Sequence, residues 1–253
     1  MTVTILTGAS AGIGRDFFRA LTANGPKTDE IWLIARREER LRELAATCPT
    51  QKVRILPLDL TETESLTALE RLLAAETPDV RCLINNAGFG KLGDVAELDW
   101  HAQTRMVDLN IRALTALTVL VLPYMTRGAC IINMCSIAAF VPNQRMTVYS
   151  STKAYVFSFS TALRGELKPR GIHVLAVCPG PMATEFLPVA GIADGSSVAF
   201  DRLPYCQPAK VAETALRKAA KGRAVYTPRG FYKLYRVLAK LLPHNWLMQL
   251  SKT

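Results

Sequence analysis

Tyr149 and Lys153 stand four residues apart in Tyr149-Ser-Ser-Thr-Lys153. On a helix that spacing puts a phenol and an ammonium on one face. Such a pair can pass a proton to an oxygen that gains charge during a reaction. A phenol at its ordinary pKa of about 10 does this poorly near neutrality, but a neighbouring ammonium favours the phenolate and lowers that value. Ser136, thirteen residues before Tyr149, offers a hydroxyl that can donate to the same oxygen as charge develops. The spacing alone does not decide the matter, because tyrosine and lysine meet at this interval on many helices.

A second chemistry is written near the start. Thr7-Gly8-Ala9-Ser10-Ala11-Gly12-Ile13-Gly14 follows an apolar run and opens a helix-period segment. Gly8 permits a tight turn, and Gly12 and Gly14 permit close backbone approach and close helix packing. The helix start then faces a pyrophosphate with free N–H groups and partial positive charge. A loop that uses glycine only for turning is the alternative, and the placement after the first strand favours the phosphate site. At the end of the second apolar run, where NAD-selective sites carry an acid against the ribose hydroxyls, stands Leu33-Ile34-Ala35-Arg36-Arg37. Guanidinium groups without a carboxylate favour the 2′-phosphate of NADP over NAD, with Arg36 ahead of Arg37 and Ser10 adding a hydroxyl. Arginines that merely face water at a helix start remain the other possibility. Asp59, followed by Leu60, is placed to meet the adenine edge or to cap the next helix.

These groups need a scaffold that gathers them. Six short apolar runs (Val3–Thr7, Ile31–Ala35, Val53–Leu58, Cys82–Asn85, Cys130–Met134, Val174–Cys178) lack in/out alternation, as strands covered on both faces do. Between them lie helix-period segments at Gly14–Ala23, Glu38–Ala46, Thr63–Ala75, Leu98–Met125 and Tyr149–Leu167. The alternation predicts an α/β, single-domain, Rossmann-like doubly wound parallel sheet with helices on both faces, spanning 1–253. Residues 1–180 form its dinucleotide-binding and catalytic core, and 181–208, rich in Gly, Ser and Pro, its substrate loop and lid. A helix over Ala209–Ala220, a short strand over Ala224–Thr227 and a last helix over Phe231–Leu242 follow. The segment 229–250 is basic and amphipathic.

With Asn85-Asn86-Ala87-Gly88 after the fourth run and Pro179-Gly180-Pro181-Met182-Ala183-Thr184 after the sixth, the chain resembles the short-chain dehydrogenase/reductases over almost its whole length. TGASAGIG, Asp59-Leu60, NNAG, Asn110, Ser136 and YxxxK occur in the family's order. The resemblance implies hydride exchange between NADP(H) and a carbonyl or alcohol, NAD(H) being the lesser alternative. Tyr149 then serves the alkoxide, helped by Lys153 and the positive nicotinamide of the oxidised cofactor, and Ser136 binds the carbonyl. Asn110 kinks the fourth helix and supports a water relay through Lys153. Asn86, Ala87 and Gly88 lie beside the adenosine ribose; Pro179, Gly180, Met182 and Thr184 lie along the nicotinamide side, with Thr184 on its carboxamide. Cys135 replaces a frequent serine as a packing change, and Ala11 replaces a basic residue of some NADP enzymes. The family's habit of pairing through its fourth and fifth helices implies a homodimer or homotetramer.

Composition sets outer bounds. Of the 253 residues 49% are hydrophobic and 21% charged, ordinary for a globular chain. Leu114–Leu122 stops well short of about 20 apolar residues and no signal-peptide pattern opens the chain, so a cytoplasmic protein without a spanning helix is expected. Six cysteines without a CxxC pair read as reduced thiols, and three scattered histidines predict no metal. The net charge of +10 comes without a nucleic-acid motif, so no nucleic-acid partner is expected. Phe186, Leu187, Val189, Ile192, Phe200 and Leu203 beyond Pro181, with Phe140, Val141 and Met146, predict a small hydrophobic carbonyl or alcohol substrate, such as a steroid or acyl-chain ketone. A 3-oxoacyl thioester reductase, whose acidic carrier the basic surface would suit, and a non-catalytic NADP(H) sensor are the alternatives. The basic C-terminal helix suits packing on its own domain or a partner subunit, ahead of peripheral contact with a membrane.

Overall fold

The computed structural model describes residues 1–192 and 203–250, without the Leu250 side chain. All six apolar runs form strands: β1 (Thr2–Thr7), β2 (Glu30–Ile34), β3 (Val53–Leu56), β4 (Asp79–Asn85), β5 (Cys130–Met134) and β6 (His173–Val177), with a short β7 (Val225–Tyr226) at the edge. They pair in parallel in the order β3-β2-β1-β4-β5-β6-β7. The period-two geometry of a strand sends Leu6, Leu33, Ile84, Ile132 and Leu175 to one face and Ile5, Ile34, Leu83, Ile131 and Val174 to the other. Both faces are covered, which is why no alternation shows in the sequence.

The first face carries α1 (Gly12–Asn24), α2 (Glu38–Ala46) and α7 (Pro208–Ala220), through residues such as Phe17, Phe18, Leu44 and Leu216. The second carries α3 (Thr63–Glu76), α4 (Trp100–Tyr124) and α5 (Thr147–Leu167). After β6 come α6 (Phe186–Ala190) and, beyond α7 and β7, α8 (Gly230–Leu241) and α9 (His244–Leu250), of which α9 has no counterpart in the periodicity read above.

The fourth helix is irregular in a useful way. Asp99 caps it by accepting from the backbone N–H groups of His101 and Ala102, Asp108–Ala113 forms a π-helical stretch, and Leu122–Tyr124 tightens to a 3₁₀ turn at Pro123. Its 25 residues reach a mean hydropathy of 1.5 in the most apolar window, so length and composition alone would let it cross a membrane, contrary to the shorter apolar stretch expected. Here one side of it, with Ala113, Leu117 and Val121, is core against the sheet.

Candidate active site

Because every strand is parallel, all carboxyl ends face one side, and a cavity of about 980 Å³ opens there. At one end it is lined by Gly8, Ser10, Gly12 and Ile13 of the first loop and by Arg36, Arg37, Asp59 and Leu60 after β2 and β3. Asn86, Ala87 and Gly88 border its middle, followed by Ser136, Tyr149 and Lys153, and then by Pro179, Gly180, Met182 and Thr184. Of the residues that the sequence assigns to catalysis and cofactor binding, Gly14 and Asn110 stand behind this wall.

The glycine loop has the shape of an anion site. Gly8 and Gly12 hold φ of +66° and +50°, a region that favours glycine. A Cβ on Gly14 would lie 2.1 Å from the Gly8 carbonyl oxygen, so Gly14 serves helix packing rather than ligand approach. The N-cap Ala11 offers no side chain to the first turn of α1, so no side-chain cap competes there with a ligand. Asn86 braces the loop by donating from Nδ2 to the carbonyls of Thr7 (3.0 Å) and Gly8 (3.2 Å). These features fit a pyrophosphate.

The two arginines differ in their partners. Arg36 lies 3.7 Å from Asp59, whereas Arg37 donates to the Ser10 hydroxyl from Nε and Nη2, both at 3.3 Å, and to Glu185 at 3.1 Å. Arg40 also reaches Glu185, at 2.7 Å. Asp59 accepts from the backbone and hydroxyl of Thr61 and from Arg105 at 2.9 Å. It does not cap α3, whose N-cap is Glu62. Burial pushes the Asp59 carboxyl up, but Thr61, Arg36 and Arg105 together hold it below the ordinary range.

At the other end, Tyr149 and Lys153 share the inward face of α5. Lys153 Nζ stands 5.7 Å from the Tyr149 ring centroid and donates to the Met134 carbonyl at 2.7 Å. Burial pushes the Tyr149 phenol well above the ordinary tyrosine value, and its hydrogen bond with Ser136 recovers only part of that. The shift is opposite to the depression expected from Lys153. In the protein alone, burial outweighs an ammonium that is directed to a backbone carbonyl. Lys153 is itself pushed down by burial, while the neighbouring Cys135 and Cys178 push it up.

Asn110 lies inside the π-helical stretch, which turns its carboxamide off the helix and onto the site's support. Its Oδ1 accepts from the Phe89 N–H at 3.1 Å, and Nδ2 donates to the Phe89 carbonyl (2.9 Å) and to the Thr152 hydroxyl (3.0 Å). A Cβ on Gly88 would come within 2.8 Å of that Oδ1 and 3.6 Å of Lys153 Nζ. The Cys135 thiol packs 3.2 Å from the Lys153 carbonyl, consistent with a packing substitution.

Several lining residues carried no sequence signal. Glu185 joins the arginines to the start of α6, where the Phe186 ring sits 5.5 Å from that of Tyr149. Lys91 Nζ donates to the Val189 carbonyl at 2.7 Å. Phe186, Leu187, Val189, Leu203 and Met146 line the cavity as expected, and Phe231, Leu234, Tyr235 and Leu238 of α8 join them. Phe140 and Val141 do not: they are buried with Ala239 and Leu247, because the 3₁₀ turn Ile137–Ala139 directs the chain away from the opening. Ile192 is buried beside Met146, and Phe200 lies outside the described residues.

Residues 2–191 match the short chain dehydrogenase family, and the chain belongs to it. Sulfoacetaldehyde reductase 2 of Chromohalobacter salexigens is 35% identical over 193 residues, 73% of this chain and 74% of that protein. A short-chain dehydrogenase from Sphingobium yanoikuyae, solved in complex with NADPH, matches with a TM-score of 0.82 at 29% identity over 98% of this chain and 96% of its own. The bulky-bulky ketone specific alcohol dehydrogenase from Comamonas testosteroni matches with a TM-score of 0.77 at 26% identity, covering 98% and 94%. The chain is thus an oxidoreductase that works between alcohol and carbonyl.

Proposed function

We propose that this chain interconverts a hydrophobic ketone and a secondary alcohol with NADP(H). One observation carries the reading: a single cavity runs from an arginine-rich phosphate end, past Ser136 and Tyr149, to a wall of Phe186, Leu187, Leu234 and Leu238. Bound NADP(H) supplies or accepts the hydride. Ser136 donates to the carbonyl oxygen, and Tyr149 gives that oxygen its proton as charge develops. Asn110 fixes Phe89 and Thr152, and so the loop and the helix turn beside Lys153. Burial raises the Tyr149 phenol, so the positive charges of Lys153 and of the bound oxidised cofactor must offset it for proton transfer near neutrality. Arg36, Arg37 and Ser10 take the 2′-phosphate, and the NADPH complex of the Sphingobium protein supports that choice.

The test is NADPH and NADH oxidation across aliphatic ketones, steroids, 3-oxoacyl thioesters and small charged aldehydes. Turnover of bulky apolar ketones with NADPH is expected; activity confined to charged aldehydes refutes the substrate class, and tight NADPH binding with no turnover identifies a sensor. Exposed Val107 and Val119 on α4 and Tyr155 on α5 give a second copy of the chain an apolar face to cover, which light scattering measures.

A further inference from the structure

Charge in this chain is gathered at one end. Residues 214–253 contain nine lysines and arginines and no aspartate or glutamate, and so carry +9 of the total +10. Five cations, Lys210, Lys218, Arg229, Lys233 and Arg236, line a groove of about 350 Å³ between α7 and α8, with no carboxylate in its wall. None of the five forms an ion pair among the described residues. Lys218 instead lies 5.4 Å over the Tyr226 ring, and Arg236 is 3.4 Å from the Thr227 hydroxyl.

The same helix α8 has a second unusual face. Tyr232 and Ala239 are buried against the body, while Phe231, Leu234, Val237, Leu238 and Leu241, at three- and four-residue spacing, are exposed, Leu241 by 74%. Trp246 of α9 is exposed by 63%. Phe231, Leu234 and Leu238 also line the catalytic cavity, and Lys233 and Arg236 belong to the groove. An outward apolar strip therefore separates a mouth that admits substrate from a groove that attracts anions. A second copy placed on this strip would set like charges against each other.

We infer that α8 and its flanking groove dock on an anionic lipid bilayer, lipid phosphates entering the basic groove and the strip resting among the acyl chains. The cavity mouth then faces the lipid, and an apolar ketone reaches Tyr149 without crossing water. Vesicle binding is measured without turnover, so this inference and the cofactor reading fail separately.

The experiment is co-sedimentation with phosphatidylcholine vesicles, with and without phosphatidylglycerol, at low and high salt, using the full chain. Tryptophan emission is followed in a Trp100→Phe background, where the fully buried Trp32 gives a constant signal beside Trp246, and thermal unfolding checks that each variant is folded. The wild type is expected to bind only vesicles containing phosphatidylglycerol, with a blue shift of Trp246. Lys210→Gln with Lys233→Gln should weaken binding about fivefold per charge. Val237→Ser with Leu241→Glu should abolish it while leaving NADPH turnover of a small soluble ketone unchanged. Absence of binding at low salt overturns the inference. So does binding that survives the apolar variant, which would reduce the contact to electrostatic attraction by the basic groove alone. A dimer that the apolar variant dissolves would assign the strip to a second copy and overturn it equally.

Discussion

The phosphate end of the cavity supports a quantitative test, because its cations already have partners. Arg37 is 43% exposed and divides its guanidinium between Ser10 and Glu185; Arg36 is 64% exposed and shares Asp59 with Arg105. A charge-assisted hydrogen bond contributes about 1.5–3 kcal/mol, and at this exposure the lower end applies. Arg36→Ala and Arg37→Ala should therefore each weaken NADPH by about tenfold and leave NADH nearly unchanged. Glu185 gives the opposite sign. Its carboxylate holds Arg37 and Arg40 in half-exposed ion pairs worth about 0.2–1 kcal/mol each, and these must yield when Arg37 turns to a phosphate. Glu185→Gln should thus tighten NADPH up to about fivefold, again without effect on NADH. The assay is equilibrium titration of each nucleotide by calorimetry. Equal losses of NADPH and NADH in the arginine variants would refute the phosphate assignment, and weaker NADPH binding by Glu185→Gln would refute the competition.

Tyr149→Phe removes the proton donor and should lower turnover by at least about a hundredfold while the Kd of NADPH stays within about twofold; rates near wild type would transfer the proton role elsewhere. Gly14→Ala drives a Cβ to 2.1 Å from the Gly8 oxygen and should lower Tm by about 5–10 °C and abolish nucleotide binding, whereas Gly165→Ala, whose Cβ meets nothing within 4 Å, should raise Tm slightly by calorimetry. Burial holds the Tyr149 proton, so kcat/KM for alcohol oxidation should climb from about pH 6 to about pH 9 while ketone reduction stays level; a level oxidation profile contradicts this. The Asp59 carboxyl is held low, so its stabilisation is complete above the ordinary carboxylate pKa of about 4 and fades as pH falls through the lowered value, a loss that Asp59→Asn should remove from the acid limb of Tm against pH.

The elements that hold the site were legible because each obeys a local rule. Val3–Thr7 and Cys130–Met134 are apolar on both faces and became central strands, and Gly8 and Gly12 were needed for positive φ. The tyrosine, lysine and serine come together because a four-residue spacing on one helix and the end of one strand place them. Glu185, Lys91 and Arg105 could not be read in this way, since their roles arise from contacts across 98 to 148 residues, or 46 for Arg105 with Asp59. Phe140 and Val141 were misplaced for a similar reason: a three-residue turn at Ile137–Ala139 sets their direction, and apolar composition does not encode it. The burial that reverses the Tyr149 shift is likewise a tertiary effect.

A parallel sheet has two unlike ends, and that polarity has a practical side. β1 begins at Thr2, so Met1 emerges on the rim opposite the cavity. At the other terminus, α9 puts Leu247 into the cavity wall and leaves Trp246 outside. An affinity tag, a fluorescent fusion or a resin linkage before Met1 therefore stands clear of the cavity, whereas one attached after α9 would sit beside its wall.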